Sequence, residues 1–245
     1  MREYAPRLKG DHGSKVRALL PYIRGRALDE LPAVAEEVKA GFAGLRAATI
    51  NRRLAILRRV GNLASDAWDW IDQPIGRRVK LLPESNQRHV YLTPEQVEAI
   101  AVRCTNPHAG DLVRLAAYTG IRHGHMLRLT HHDVQGDCIM LDTSSKTGRP
   151  LLLPLHPRVQ AIAERLPLPI SPHDLRGQWE AARKACGLSH VRWHDLRHSC
   201  ASWYVQAGVS LIVVRDLLGH TTMATTQRYA HLAHDNLREA VKRIA

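Results

Sequence analysis

Apolar side chains recur at helical spacing through most of the chain. Val16, Leu19, Leu20 and Ile23 fall three or four apart after Ser14, and Val34, Val38 and Phe42 do so again after Pro32, which predicts two short helices. A longer helix is predicted over 49–67, with Thr49 as its N-cap. Ile50, Leu54, Leu57 and Gly61 share one side of it, and Arg52, Arg53, Arg58 and Arg59 lie partly on the other. Residues 1–13 show no period, and 83–89 is polar and reads as a linker. Beyond it, Thr93-Pro94-Glu95-Gln96 has the cap, first-turn proline and capping-box glutamine of a helix start, with Leu92 and Val97 placed to staple it. Leu112, Leu115, Ala116 and Tyr118 predict a buried helix over 111–119 that Gly120 stops.

Two short apolar runs, 137–141 and 151–155, flank Ser144, Ser145, Gly148 and Pro150, which predicts a β-hairpin with a mobile tip. Further helices are expected over 157–166 and 172–186, the second amphipathic through Leu175, Trp179 and Ala182. Leu211, Val214, Leu217 and Leu218 predict a short helix ending at Gly219. Leu237, Val241 and Ile244 form one stripe over 237–245, a three-turn helix that is stable only when docked. Helices therefore dominate, with one small antiparallel sheet.

The length of 245 residues suits two modest domains, and the polar linker divides them as 1–85, all helical, and 86–245, α+β. The first stretch carries 16 basic and 10 acidic residues, a net of +6, and the second 19 and 13, again +6. A total of +12 shared between both halves favours a polyanionic partner such as nucleic acid. Cys104, Cys138, Cys186 and Cys200 form no C-x-x-C pair, so neither a zinc knuckle nor a disulfide framework is indicated and a reducing cytoplasm fits. No apolar run approaches the roughly 18 residues of a membrane span, and the charged N-terminus lacks a signal-peptide core. Neither an internal repeat nor a low-complexity tract occurs.

The chemistry concentrates in residues 193–231. Asp195, just ahead of an apolar-periodic run, suits a helix start, and His194 and Arg197, three apart there, can face one spot. Gly219 leaves His220 on a turn, and Tyr229 follows nine residues later. In one unbroken helix His220 and Tyr229 would be roughly 13 Å apart, so a bend at Thr221-Thr222 is needed to bring them together. Taken singly, each residue has an ordinary explanation as core, rim or solvated face.

The ordered set His194-x-x-Arg197, Leu218-Gly219-His220 and Tyr229 resembles the C-terminal signature of the tyrosine recombinases, the phage integrase family. Two further stretches resemble the same family: Thr119-Gly120-Ile121-Arg122, its first arginine box, and Lys146-Thr147 in the hairpin. Thr49-Ile50-Asn51-Arg52-Arg53-Leu54 through Gln73-Pro74 and Val79-Lys80 looks like the end of its helical core-binding domain. The resemblance covers about 49–235. Gln73 stands where the family usually has Asn, and His125 where it generally has an acid, which removes the usual carboxylate brace while leaving a hydrogen-bonding ring.

The resemblance implies an N-terminal core-DNA-binding domain, with Arg46, Arg52, Arg53, Arg58 and Arg59 toward DNA, and a catalytic domain. It implies Tyr229 as nucleophile, Arg122 and Arg197 on the phosphate oxygens, His194 accepting the Tyr229 proton, His220 bonding a phosphate oxygen and Lys146 protonating the departing 5′-oxygen. Neither metal nor cofactor is then required. The implied partners are double-stranded DNA with paired core sites, an accessory directionality factor and three further copies in a tetramer that exchanges C-terminal segments. No membrane partner is expected of such a bacterial or phage-encoded, cytoplasmic protein. Two alternatives differ in class: a type IB topoisomerase-like enzyme that relaxes DNA, and a silent DNA-binding regulator, against which the intact residue set argues. A metal site through His194 and His198, at i and i+4, lacks a nearby carboxylate or thiol triad.

Overall fold

The computed structural model describes residues 12–84, 88–141 and 150–233, and the chain divides into two compact units, Met1–Gln87 and Arg88–Ala245. The hairpin tip with Lys146 and the expected C-terminal helix lie outside the described residues.

Unit 1 is built from α1 (His12–Ile23), α2 (Leu31–Gly41) and α3 (Ala47–Asp66), followed by a 3₁₀ turn Ile75–Arg78. Its core joins Val16 and Leu19 of α1, Leu31, Val34 and Val38 of α2, and Ile50, Leu54, Leu57 and Val60 of α3. The α3 helix begins three residues earlier than its hydroxyl cap predicts: Arg46 is the extended N-cap residue, and Thr49 sits inside the first turn. Ala47 and Ala48, the best helix-forming type, carry the helix back past Thr49. Late in α3, Gly61 lets the 3₁₀ turn pack directly on the helix, since a Cβ there would stand 2.7 Å from the Gly76 nitrogen. The buried Asn51 pins the chain leaving the unit, donating to the Leu82 carbonyl and accepting from the Leu82 N–H, both at 2.8 Å.

Unit 2 opens with α4 (Pro94–Arg103), whose Thr93–Gln96 capping box forms as its sequence predicts. Next come α5 (Pro107–Thr119), buried on almost every face, and the single turn α6 (His123–Met126). A three-stranded antiparallel sheet follows, β1 (Val134–Gln135), β2 (Cys138–Leu141) and β3 (Leu151–Pro154), in the order β1-β2-β3 with Ile139 opposite Leu153. The hairpin expected from the two apolar runs is β2–β3, and β1 is an addition joined to β2 through Gly136 at φ 60°. Helices α7 (Pro157–Ala163), α8 (Pro172–Ala185), α9 (Trp193–Gln206), α10 (Leu211–Leu218) and α11 (Met223–Gln227) complete it. The mainly helical class with one small antiparallel sheet is therefore observed.

Candidate active site

Four chain segments converge on one place in unit 2: the end of α5, the first turns of α9, the end of α10 and the stretch around α11. Helix α9 starts at Trp193 rather than at Asp195, whose carboxylate at the third helical position reaches back to the Arg192 N–H at 2.8 Å. Asp195 is buried, and Arg88 holds it in a fork, Nε to Oδ1 at 2.9 Å and Nη2 to Oδ2 at 2.8 Å. This fixes the helix start that carries His194, Arg197 and His198. Arg88 falls in a stretch that reads as a featureless linker, so its role had no sequence signal.

Arg197 is only 5 % exposed. Its Nη1 donates to the Gly120 carbonyl and its Nη2 to the Leu218 carbonyl, both at 2.6 Å. These carbonyls close α5 and α10, where helix C-termini leave unpaired acceptors and partial negative charge. Both helices end in left-handed glycines, Gly120 at φ 65° and Gly219 at φ 59°, and a Cβ on Gly120 would meet Leu218 Cδ2 at 2.5 Å. Burial, then the neighbouring Arg122, push the Arg197 guanidinium down to about 10, so it remains a cation at neutral pH. Arg122, the exposed N-cap of α6, makes one long bond from Nη2 to the Gly219 carbonyl, 3.2 Å. The α5 and α10 ends thus hold Arg197 through backbone carbonyls, and His125 is half-buried one turn after Arg122.

The chain does bend at Thr221-Thr222, since α11 begins at Met223 with Thr222 as its N-cap. The bend does not bond His220 to Tyr229. His220 Nδ1 lies 2.8 Å from the buried Thr226 hydroxyl, whereas the Tyr229 hydroxyl lies 2.6 Å from Nδ1 of His198. The Tyr229 ring, 1 % exposed, packs with Ala201, Val205, Val214 and Leu218. His194 meets His198 edge-on, ring centres 4.8 Å apart, and shares no hydrogen bond with Tyr229. His198 and Thr226 are the contacts that sequence reasoning passed over. His198 was visible as a residue four after His194, but nothing in that spacing tied it to a tyrosine 31 positions on.

The electrostatics are one-sided. Desolvation, then Arg197, Arg122 and Arg228, push His220 down to about 3. Desolvation, then His194 and Arg228, push His198 down to about 4. His194 is lowered too, by desolvation and then Arg197, although the residue as a whole is exposed. Burial pushes the Tyr229 phenol up to about 12, against the pull of Arg228 and Arg197. At neutral pH the site therefore holds neutral rings and a neutral phenol among three guanidinium charges. The one carboxylate acting on His194 and His198, Asp195, is already committed to Arg88. Such a place attracts an anion with several oxygens.

Of the other expected residues, Arg46, Arg52, Arg58 and Arg59 are exposed in unit 1. Arg53 is half-buried, its guanidinium 4.4 Å over the Phe42 ring and Nη1 donating to the Thr49 carbonyl at 3.1 Å, so it does not share their polar face. Among the described residues no three His, Cys, Asp or Glu side chains form a metal-binding group, and no helix is long and apolar enough to cross a membrane.

Residues 161–236 match the model of the phage integrase family. The integrase of Salmonella phage P22 is 28 % identical over 225 residues, covering 80 % of this chain and 57 % of that protein. The catalytic domain of bacteriophage HP1 integrase is 27 % identical with a TM-score of 0.53, covering 63 % of this chain and 95 % of that one. The Tn1549 transposon integrase, solved with circular intermediate DNA, shares the fold at 18 % identity with a TM-score of 0.71, covering 100 % of this chain and 97 % of that one. The chain spans 57 % and 59 % of the length of the P22 and Haemophilus phage HP1 integrases.

Proposed function

From its similarity to the phage integrase family, we propose that the chain belongs to the tyrosine recombinases and that the protein is a site-specific DNA recombinase. It cleaves and rejoins strands in DNA integration or excision through a 3′-phosphotyrosyl intermediate. The observation that carries this reading is the Tyr229 phenol set beside Arg197 and Arg228, with Arg122 next to Arg197, in a site with no free carboxylate among the described residues. A phosphodiester supplies the missing negative charge.

Arg122, exposed and lightly held, takes one non-bridging oxygen, and Arg197 stabilises the charge of the pentacoordinate phosphorus from beneath. His194 and His220, neutral at pH 7, add hydrogen bonds at its edges. The Tyr229 Oη–P bond forms as the P–O5′ bond breaks, the phenol proton passes to a neutral histidine of the site, and the departing 5′-oxygen takes a proton from Lys146. The phosphotyrosyl link keeps the bond energy, so another 5′-hydroxyl reverses the step without ATP. Arg46, Arg52, Arg58 and Arg59 of unit 1 track the backbone of duplex DNA carrying paired core sites. Four copies assemble on that DNA in the cytoplasm, with a directionality factor choosing between integration and excision.

The test is trapping on nicked suicide duplexes drawn from DNA flanking the protein's own gene. The wild-type chain is expected to give a denaturation-resistant adduct, and Tyr229→Phe, which removes one oxygen, to bind as before and give none. An adduct that persists in Tyr229→Phe makes another residue such as Tyr204 the nucleophile and overturns the assignment.

A further inference from the structure

The family pattern gives the Tyr229 proton to His194, yet the buried partner of the Tyr229 hydroxyl is His198. Resting on the recombinase reading above, we infer that Nδ1 of His198 accepts the Tyr229 proton during cleavage, and that the arriving phosphodiester is what makes it able to. The contact is direct and short, 2.6 Å between two nearly buried groups, with His198 8 % and Tyr229 1 % exposed. A general base must lie within hydrogen-bond reach of the proton it takes, and His198 meets that condition where His194 does not. An accepting Nδ1 places the ring proton on Nε2.

At rest the transfer is strongly uphill. The groups facing His198 are His194, Asp195 and Arg197 on its own helix and Arg228, Tyr229 and His220 from the segment after α10. Desolvation comes first and His194 second, Arg228 and Arg197 add to them, and the opposing Asp195 is spent on Arg88. A phosphodiester lodged between Arg122, Arg197 and Arg228 offsets the Arg228 and Arg197 charges that add to the lowering of His198 and sets negative charge near the ring. The imidazole then gains basicity only while substrate is present. The step balances: Oη–P forms, P–O5′ breaks, the phenol proton passes to Nδ1, and the 5′-oxygen is protonated by a separate donor. No oxidation change occurs. The nucleophile is thereby kept neutral until a phosphodiester occupies the arginines.

The experiment is single-turnover adduct formation on the nicked duplex across pH, with wild type, Tyr229→Phe, His198→Asn and His198→Ala side by side. Asparagine keeps a hydrogen-bonding atom near the Nδ1 position and cannot take a proton. His198→Asn is expected to bind DNA like wild type and to react at least ~100-fold more slowly, the size of a lost general base. It should also lose the acid-side fall in rate that wild type shows as His198 protonates, and added imidazole should speed His198→Ala. Should His198→Ala fail to fold, the asparagine profile decides alone. A wild-type rate or an unchanged acid limb in His198→Asn overturns the inference, and a faster rate would make the contact a shelter. Wild-type adduct that disappears in Tyr229→Phe upholds the recombinase reading whatever His198→Asn does, and no wild-type adduct removes both.

Discussion

At the scale of single residues, Arg197 shows how a side chain can be legible in kind and hidden in function. The His-x-x-Arg spacing singles it out, and family resemblance gives it to a phosphate. Its actual partners are the carbonyls of Gly120 and Leu218, 77 and 21 positions away, and a backbone carbonyl leaves no mark in a sequence. The residue therefore has a structural task beside the chemical one proposed for it, bridging the ends of α5 and α10. Arg197→Ala is expected to abolish cleavage and also to lower unfolding stability, because two buried acceptors lose their donor at roughly 1–3 kcal/mol apiece. Part of that cost is returned by relieving a desolvated charge, so about 2–3 kcal/mol should remain. Arg197→Lys, with one ammonium for two carbonyls, should fall between. Denaturant midpoints measure this directly, and an alanine variant as stable as wild type would mean that the guanidinium is present for the substrate alone.

Whole elements were the most legible part of the fold, and their edges the least. Apolar periodicity located α1 to α3, α5, α8 and α10, and the capping box located the start of α4, because each burial face repeats over several turns. What failed was local competition: Ala47-Ala48 outran the Thr49 cap, and the two-residue β1 was too short to show a period. The same limit affected the α3 arginines, four of which were expected to lie partly on one polar side. Arg53 instead stacks over Phe42 and bonds to the Thr49 carbonyl, while Arg52 is exposed. Charge reversal should separate them. Arg52→Glu should weaken DNA binding and leave stability within about 0.5 kcal/mol, as surface changes do. Arg53→Glu should cost roughly 1–2 kcal/mol as well, since it removes the cation–π contact and turns a carboxylate toward a ring face and a carbonyl. Equal melting curves for the two variants would place Arg53 in solvent and refute the packing.

For the whole molecule, the most readable property was the partition of charge, +6 in residues 1–85 and +6 in 86–245, because it is a sum over the chain and needs no tertiary structure. The site does need it: Arg88 and Asp195 are 107 positions apart, and His198 and Tyr229 31. Lys146 and the stripe over 237–245 lie outside the described residues, so their assignments remain those of the sequence. The charge partition nevertheless bears on function. If both units hold one duplex, each phosphate neutralised releases counterions, and log K should fall against log salt by about 0.9 per phosphate. Neutralising roughly six to ten phosphates would weaken binding by roughly 10³- to 10⁵-fold between about 50 and 200 mM salt. Reversing Arg52 and Arg58 together should flatten the slope by about one unit for each phosphate they no longer hold, without changing the dependence that unit 2 contributes. Arg122→Ala should remove about one unit more and take cleavage with it. A slope that Arg52→Glu/Arg58→Glu leaves untouched would put unit 1 off the DNA, whatever its charge, and reduce the duplex-binding surface to the unit that holds Tyr229.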